Sequence, residues 1–192
     1  MADSLNGKKI AIIATDGVEQ VELTEPRKAV EAAGGRTELL SIKSEDIQAM
    51  NSDINPADKF TADKLVSDAS PSDYDGLLLP GGTVNADKLR ADDGVVAFVQ
   101  EYFKTGKPAG VICHGPWTLV EADLVRGRTL TSFPSLQTDI RNAGGEWVDR
   151  EVVVDQGLVS SRNPDDLPAF NAKIVEEFAE GKHEVASAGA TA

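Results

Sequence analysis

The sequence predicts a doubly wound α/β fold, with a mostly parallel sheet and helices on both of its faces. Three observations predict it. Short apolar runs such as residues 8–14, 74–79 and 109–112 suit strands that are buried on both sides. Stretches with helical spacing alternate with these runs through the whole chain. No linker, repeat or low-complexity tract interrupts the alternation before a small, polar tail.

Residues 8–14 form the first expected strand. The helical stretch after it ends at Gly34-Gly35. Pro26 breaks a helix interior but suits a first turn, so the helix is expected to start near Thr24 as N-cap, with residues 19–23 in a separate turn. Residues 36–42 read as the second strand. Residues 44–73 are polar and irregular, with room for one short strand pair. The third strand, 74–79, ends at Pro80-Gly81-Gly82. Residues 93–105 make an amphipathic helix with Val95, Phe98, Val99 and Tyr102 on its apolar side. The fourth strand, 109–112, runs into Cys113. A short helix at 117–122, a strand at 129–132 and a helix at 135–143 follow. Residues 147–154 and 158–161 read as paired strands around Asp155-Gln156-Gly157. Asn163-Pro164 opens the last helix, 165–179. The arrangement is flavodoxin-like, one domain over residues 8–180, with flexible termini expected at 1–7 and 181–192.

The composition narrows the function classes. The chain has 192 residues and a formal net charge of −13. That charge repels nucleic-acid phosphates and anionic membrane surfaces, so neither is an expected partner. No run approaches the roughly 18–20 apolar residues that span a bilayer. The N-terminus lacks the charged start and apolar core of a signal peptide, so a cytoplasmic location is expected. The single cysteine allows no internal disulfide. His183 stands near the tail, and the one cysteine and one histidine of the folded body cannot build a usual zinc site, so no metal or cofactor is expected.

In a sheet of this kind the site lies beyond the carboxyl ends of the strands. Three such ends carry unusual residues: Asp16-Gly17-Val18-Glu19, Pro80-Gly81-Gly82 and Cys113-His114-Gly115-Pro116. Cys113 follows a buried strand directly and precedes a Gly-Pro that opens a helix. This is the setting of a nucleophile elbow, with the helix N-terminus expected to hold the thiol pKa low. A lone cysteine at this position also suits core packing, and position alone leaves both readings open. Glu19, after the first strand, could reach the sulfur if strands one and four are neighbours, and would then move protons. Glu22 could share a helical face with Glu19 and ranks second. Adjacent residues at a turn point apart, so His114 is expected to face sideways, toward an acid or a subunit interface. Its backbone N–H, with that of Gly82, could form an oxyanion hole at Cys113.

Asp16-Gly17-Val18-Glu19-Gln20-Val21-Glu22-Leu23, Leu79-Pro80-Gly81-Gly82 and Ile112-Cys113-His114-Gly115-Pro116 together resemble the PfpI family. That family lies within the superfamily of the parkinsonism-associated deglycase and the class I glutamine amidotransferases. Thr131-Ser132-Phe133-Pro134 and Ser160-Ser161-Arg162 extend the resemblance, which covers residues 8–180. It implies Cys113 as nucleophile, Glu19 as the acid touching its sulfur and His114 as third partner. It also implies a homodimer, or a hexamer built from dimers, in which an acid from a neighbouring subunit completes the histidine. Asp87 stands one residue from the family's glutamate at that point and is shorter.

The resemblance implies three functions. The first is a cofactor-free deglycase or glyoxalase acting on small carbonyls or their adducts. The second is a cysteine peptidase acting on peptides, against which the mismatch at Asp87 counts. The third is a redox-responsive stress or chaperone-like protein without catalysis. The first is the expected function.

Overall fold

The computed structural model describes residues 4–182. In chain order it forms β1 (Lys9–Ile13), α1 (Gln20–Ala32), β2 (Arg36–Ser41), β3 (Ile47–Asn51), β4 (Asn55–Phe60) and β5 (Lys64–Leu65). Next come β6 (Gly76–Leu79), α2 (Thr83–Arg90), α3 (Asp93–Lys104), β7 (Ala109–Ile112), α4 (Pro116–Glu121) and β8 (Thr129–Leu130). The chain closes with α5 (Gln137–Asn142), β9 (Glu146–Trp147), β10 (Val152–Asp155), β11 (Leu158–Ser161) and α6 (Leu167–Glu180).

Seven strands form the central sheet in the order β10-β11-β7-β6-β1-β2-β5. Every neighbouring pair in it is parallel except the β10–β11 hairpin at one edge. The apolar runs are central strands because both of their faces are covered. Successive residues of a strand point to opposite faces, and β1 divides accordingly. Ile10 and Ile12 pack with Leu23, Val30, Phe170, Ile174 and Phe178 of α1 and α6. Ala11 and Ile13 pack with Val95, Phe98, Val99 and Tyr102 of α3, and with Leu119 of α4.

The structure corrects four expectations. The first helix starts at Gln20, not after Thr24, and Pro26 lies inside it. Burial of Glu22 and Leu23 on its inner face outweighs the hydrogen bond that Pro26 cannot donate. Strands one and four are not neighbours, because β6 lies between β1 and β7. Trp147 does not belong to the β10–β11 hairpin; β9 pairs with β8 in a separate two-stranded sheet. Residues 4–7 are docked rather than loose: Leu5 is fully buried and its N–H bonds to Ala33 O at 2.9 Å. The remainder of the termini expected to be flexible, 1–3 and 183–192, lies outside the described residues.

The polar stretch 44–73 contains a hairpin, β3–β4, that forms its own two-stranded sheet. It is tied to the loop after β1 by backbone bonds Gly17 N to Gln48 O and Met50 N to Val18 O, both 2.8 Å. This places its tip, Ser52-Asp53, over the carboxyl ends of the central strands.

Candidate active site

The carboxyl ends of β1, β6 and β7, three adjacent strands, meet at one pocket of about 220 Å³. Cys113 lies at its base. The residue takes φ +60°, a left-handed conformation that side chains other than glycine rarely adopt. Its backbone is held there from both sides: Cys113 N donates to Ser161 O at 3.1 Å, and Phe133 N donates to Cys113 O at 2.8 Å. A strained residue held by its surroundings is what an elbow requires.

Two glycines are needed for the turn. A Cβ on Gly115 would collide with the backbone oxygen of Leu79. Gly82 takes φ +86°, and a Cβ there would collide with the backbone oxygen of Gly17. The buried Asn85 ties the strand ends together. Its Oδ1 accepts from Thr15 N at 2.7 Å, and its Nδ2 donates to Pro80 O and Gly81 O at 3.1 and 2.9 Å.

Glu22, in the first turn of α1, is the acid beside the sulfur. Its Oε2 accepts from Gly81 N at 2.8 Å, and its carboxyl hydrogen-bonds the Cys113 thiol. Burial pushes the Glu22 carboxyl from its ordinary 4.5 up to about 8, against the lowering influence of the Gly81 N–H. The Cys113 thiol is also pushed up, by burial and then by the Glu22 charge, while the Gly82 N–H pulls it down. The expected depression by the helix N-terminus is therefore overturned: the elbow is too dry for α4, six residues long, to win. Protonation of Glu22 removes the charge that opposes the thiolate and supplies a donor to it. The two groups titrate as a coupled pair.

His114 turns toward its own cysteine, contrary to expectation. Its Nδ1 lies 3.2 Å from Cys113 Sγ. The ring stacks on Phe133, with centroids 4.7 Å apart, and this contact fixes the rotation that brings Nδ1 to the sulfur. Nε2 faces the hydroxyls of Thr83 at 3.4 Å and Ser135 at 3.3 Å. Burial lowers the His114 pKa, opposed by the Asp53 charge.

Glu19 lines the same pocket but turns away from the sulfur. Its two carboxylate oxygens accept from Ser52 N and Asp53 N, each at 3.0 Å. Asp53 in turn accepts from Thr83 N at 2.7 Å and from the Thr83 hydroxyl at 3.0 Å. The hairpin tip thus forms the roof of the pocket.

The sequence matches the DJ-1/PfpI family over residues 8–177. The chain belongs to that family. It is similar to protein/nucleic acid deglycase 2 of Escherichia coli (strain K12), with 43% identity covering 88% of this chain and 96% of that protein. It is also similar to general stress protein 18 of Bacillus subtilis (strain 168), with 45% identity covering 86% and 94% of the two chains. Among solved structures, Drosophila melanogaster DJ-1beta superposes with a TM-score of 0.80 at 26% identity, over 90% of each chain.

Set within the DJ-1/PfpI family, the structure brings Cys113, His114 and the Gly82 N–H together, with the His114 ring at the sulfur rather than turned sideways. It exchanges Glu19 for Glu22 as the acid at the sulfur. The cause is the helix start. Glu19 is the last extended residue before α1, with φ −66° and ψ 117°, so its side chain leaves toward the hairpin, while Glu22 sits on the first turn facing the elbow. The Gly82 N–H points at the sulfur itself, so its use as an oxyanion donor requires a reacting group to displace that bond. Asp87 does not join the site of its own chain. It is 64% exposed and paired with Arg90 at 3.4 Å. Thr83, Asp53, Ser135 and Phe133 were missed. Only Phe133 carries a sequence signal, its position in Ser132-Phe133-Pro134.

Proposed function

We propose that this chain is a cysteine-dependent enzyme acting on small reactive carbonyls or their adducts, with Cys113 as nucleophile and Glu22 as its acid. The observation that carries the reading is the buried Glu22 carboxyl, raised to about 8 and bonded to the thiol. A group with that value gives and takes protons near neutral pH. The pocket supports the substrate class, since about 220 Å³ is below the usual range for drug-sized ligands and suits a few heavy atoms.

In this reading the Cys113 thiol loses its proton to His114 Nδ1 and the thiolate adds to an aldehyde carbon. The carbonyl oxygen takes a proton from Glu22, giving a hemithioacetal. With a 1,2-dicarbonyl, the Glu22 carboxylate removes the hydrogen on that carbon. Reprotonation at the neighbouring carbon gives a thioester, and water releases the 2-hydroxy acid and frees the thiol. The sum is dicarbonyl plus water to 2-hydroxy acid, with no external oxidant or reductant. Association into a dimer or hexamer, implied by the resemblance, belongs to the same proposal and is read by sedimentation.

Turnover of methylglyoxal to lactate and glyoxal to glycolate tests the reading. Wild type is expected to be active and Cys113→Ser inactive. Glu22→Gln is expected to lose about a hundredfold or more in kcat/KM, while Glu19→Gln, whose carboxyl does not reach the sulfur, is expected to lose much less. Full turnover in Glu22→Gln overturns the assignment. Absence of carbonyl turnover in wild type, with cleavage of a fluorogenic peptide, replaces it with the peptidase reading.

A further inference from the structure

The geometry points to Asp53, acting through Thr83, as the positioning residue that decides which nitrogen of His114 carries its proton. The inference rests on Cys113 being the nucleophile, and it gives His114 an acid from its own chain.

A carboxylate only accepts hydrogen bonds. Asp53 Oδ1 accepts from Thr83 N at 2.7 Å and Oδ2 from Thr83 Oγ1 at 3.0 Å. The Thr83 hydroxyl has one hydrogen, and it is committed to Asp53. Only lone pairs of Oγ1 are left facing His114 Nε2 at 3.4 Å, which favours Nε2 as the donor. Neutral His114 then carries its proton on Nε2, and Nδ1 presents a lone pair to Cys113 Sγ at 3.2 Å. Ser135 Oγ, 3.3 Å from Nε2, accepts in the same arrangement. When the thiol proton moves to Nδ1, the S–H bond breaks and the N–H bond forms. The imidazolium then faces the thiolate with one N–H and Thr83 with the other. The Asp53 charge favours that imidazolium against the burial that lowers it.

The backbone supports a dedicated role. Ser52 and Asp53 are successive non-glycine residues at φ +54° and +62°. Such conformations cost about 1–3 kcal/mol each and persist where surroundings over-determine them. Here Glu19 binds both N–H groups. That is the work of the acid that the sequence had placed at the sulfur: it anchors the hairpin tip so that Asp53 meets Thr83.

Asp53→Asn tests this in the full chain. The Asn oxygen can still accept from Thr83 N, which puts its NH₂ against Thr83 Oγ1. The hydroxyl hydrogen must then turn to His114 Nε2, and the histidine proton moves to Nδ1, against the sulfur. Nitrogen-15 NMR of labelled histidine is expected to show that inversion. Alkylation of Cys113 by iodoacetamide is expected to slow about tenfold, and kcat on methylglyoxal to fall about a hundredfold with KM little changed. Thr83→Val severs the same path and should slow alkylation equally, while Thr83→Ser restores it. An unchanged tautomer in Asp53→Asn together with unchanged alkylation in both Asp53→Asn and Thr83→Val overturns the proposal. So does inversion in Asp87→Asn with Asp53→Asn unaffected, which assigns the acid to a neighbouring subunit. The NMR and alkylation measurements need no substrate. Tautomer inversion in a protein that turns over no carbonyl therefore defeats the proposed reaction and leaves the Asp53 assignment standing.

Discussion

The elbow at Cys113 and the hairpin tip at Ser52-Asp53 hold their backbones in the same left-handed region, at φ +60°, +54° and +62°. Both face one pocket. They are stabilised in opposite ways. The elbow is welded into the central sheet: its flanking backbone bonds run to Ser161 and Phe133, and glycines at 82 and 115 leave no room for a side chain. The tip stands on a separate two-stranded sheet and is held by carboxylate contacts, Glu19 to its N–H groups and Asp53 to Thr83. Strain at the floor of the pocket is thus fixed by packing, and strain at its roof by charge-assisted hydrogen bonds.

The largest effect expected from this contrast comes from the floor. Gly82→Ala or Gly115→Ala forces a Cβ against backbone oxygen, with no flexible neighbour to yield. Either is expected to cost about 3–5 kcal/mol, read as a fall of roughly 10 °C in thermal denaturation. A loss under about 1 kcal/mol would show that the elbow is no more rigid than the tip.

Glu22 sharpens the comparison next. Its carboxyl is at about 8 in the folded chain and 4.5 ordinarily, so between those values the native state holds a proton that the unfolded chain releases. The stability is fully present below 4.5 and is lost as pH rises through about 8. Urea denaturation across that window is expected to show a decline of a few kcal/mol, at about 1.4 kcal/mol per unit of pKa difference. Glu22→Gln is expected to flatten it. A decline that survives the substitution would place the buried proton elsewhere.

The roof gives smaller numbers. Glu19→Gln keeps one oxygen acceptor and loses the charge, with an expected cost of about 1–2 kcal/mol. Hydrogen exchange at the Ser52 and Asp53 amides should quicken, and Cys113 alkylation should slow by less than in Asp53→Asn. Exchange that quickens equally at the elbow would mean that floor and roof open together. Ser52→Gly, which relieves a left-handed residue, should raise stability by less than about 1 kcal/mol, and a marked loss in chemical denaturation would show that the Ser52 side chain itself holds the tip.

The same contrast explains what was legible in the sequence. The sheet could be read because its strands are buried on both faces, which leaves runs such as Leu77-Leu78-Leu79 with no polar alternation. The elbow could be read because glycine and proline must stand where backbones touch. The roof could not. Its tip has no glycine despite two left-handed residues, and its second strand, β4, is mostly exposed, so residues 44–73 look like any polar loop. The exchange of Glu19 for Glu22 followed from one local preference. Pro26 argued for a late helix start, tertiary burial moved that start to Gln20, and the two acids traded places. Thr83 and Asp53 come from segments 30 residues apart and leave no local pattern.

The β3–β4 hairpin touches the pocket without contributing a strand to the central sheet. Its length and sequence can therefore change without disturbing a single central strand pair. Such a change would alter which molecules are admitted while Cys113, Glu22 and His114 keep their mutual distances. Admission and reaction meet at one residue of this roof, Asp53, so the rest of the hairpin is free to change as long as that carboxylate still holds Thr83.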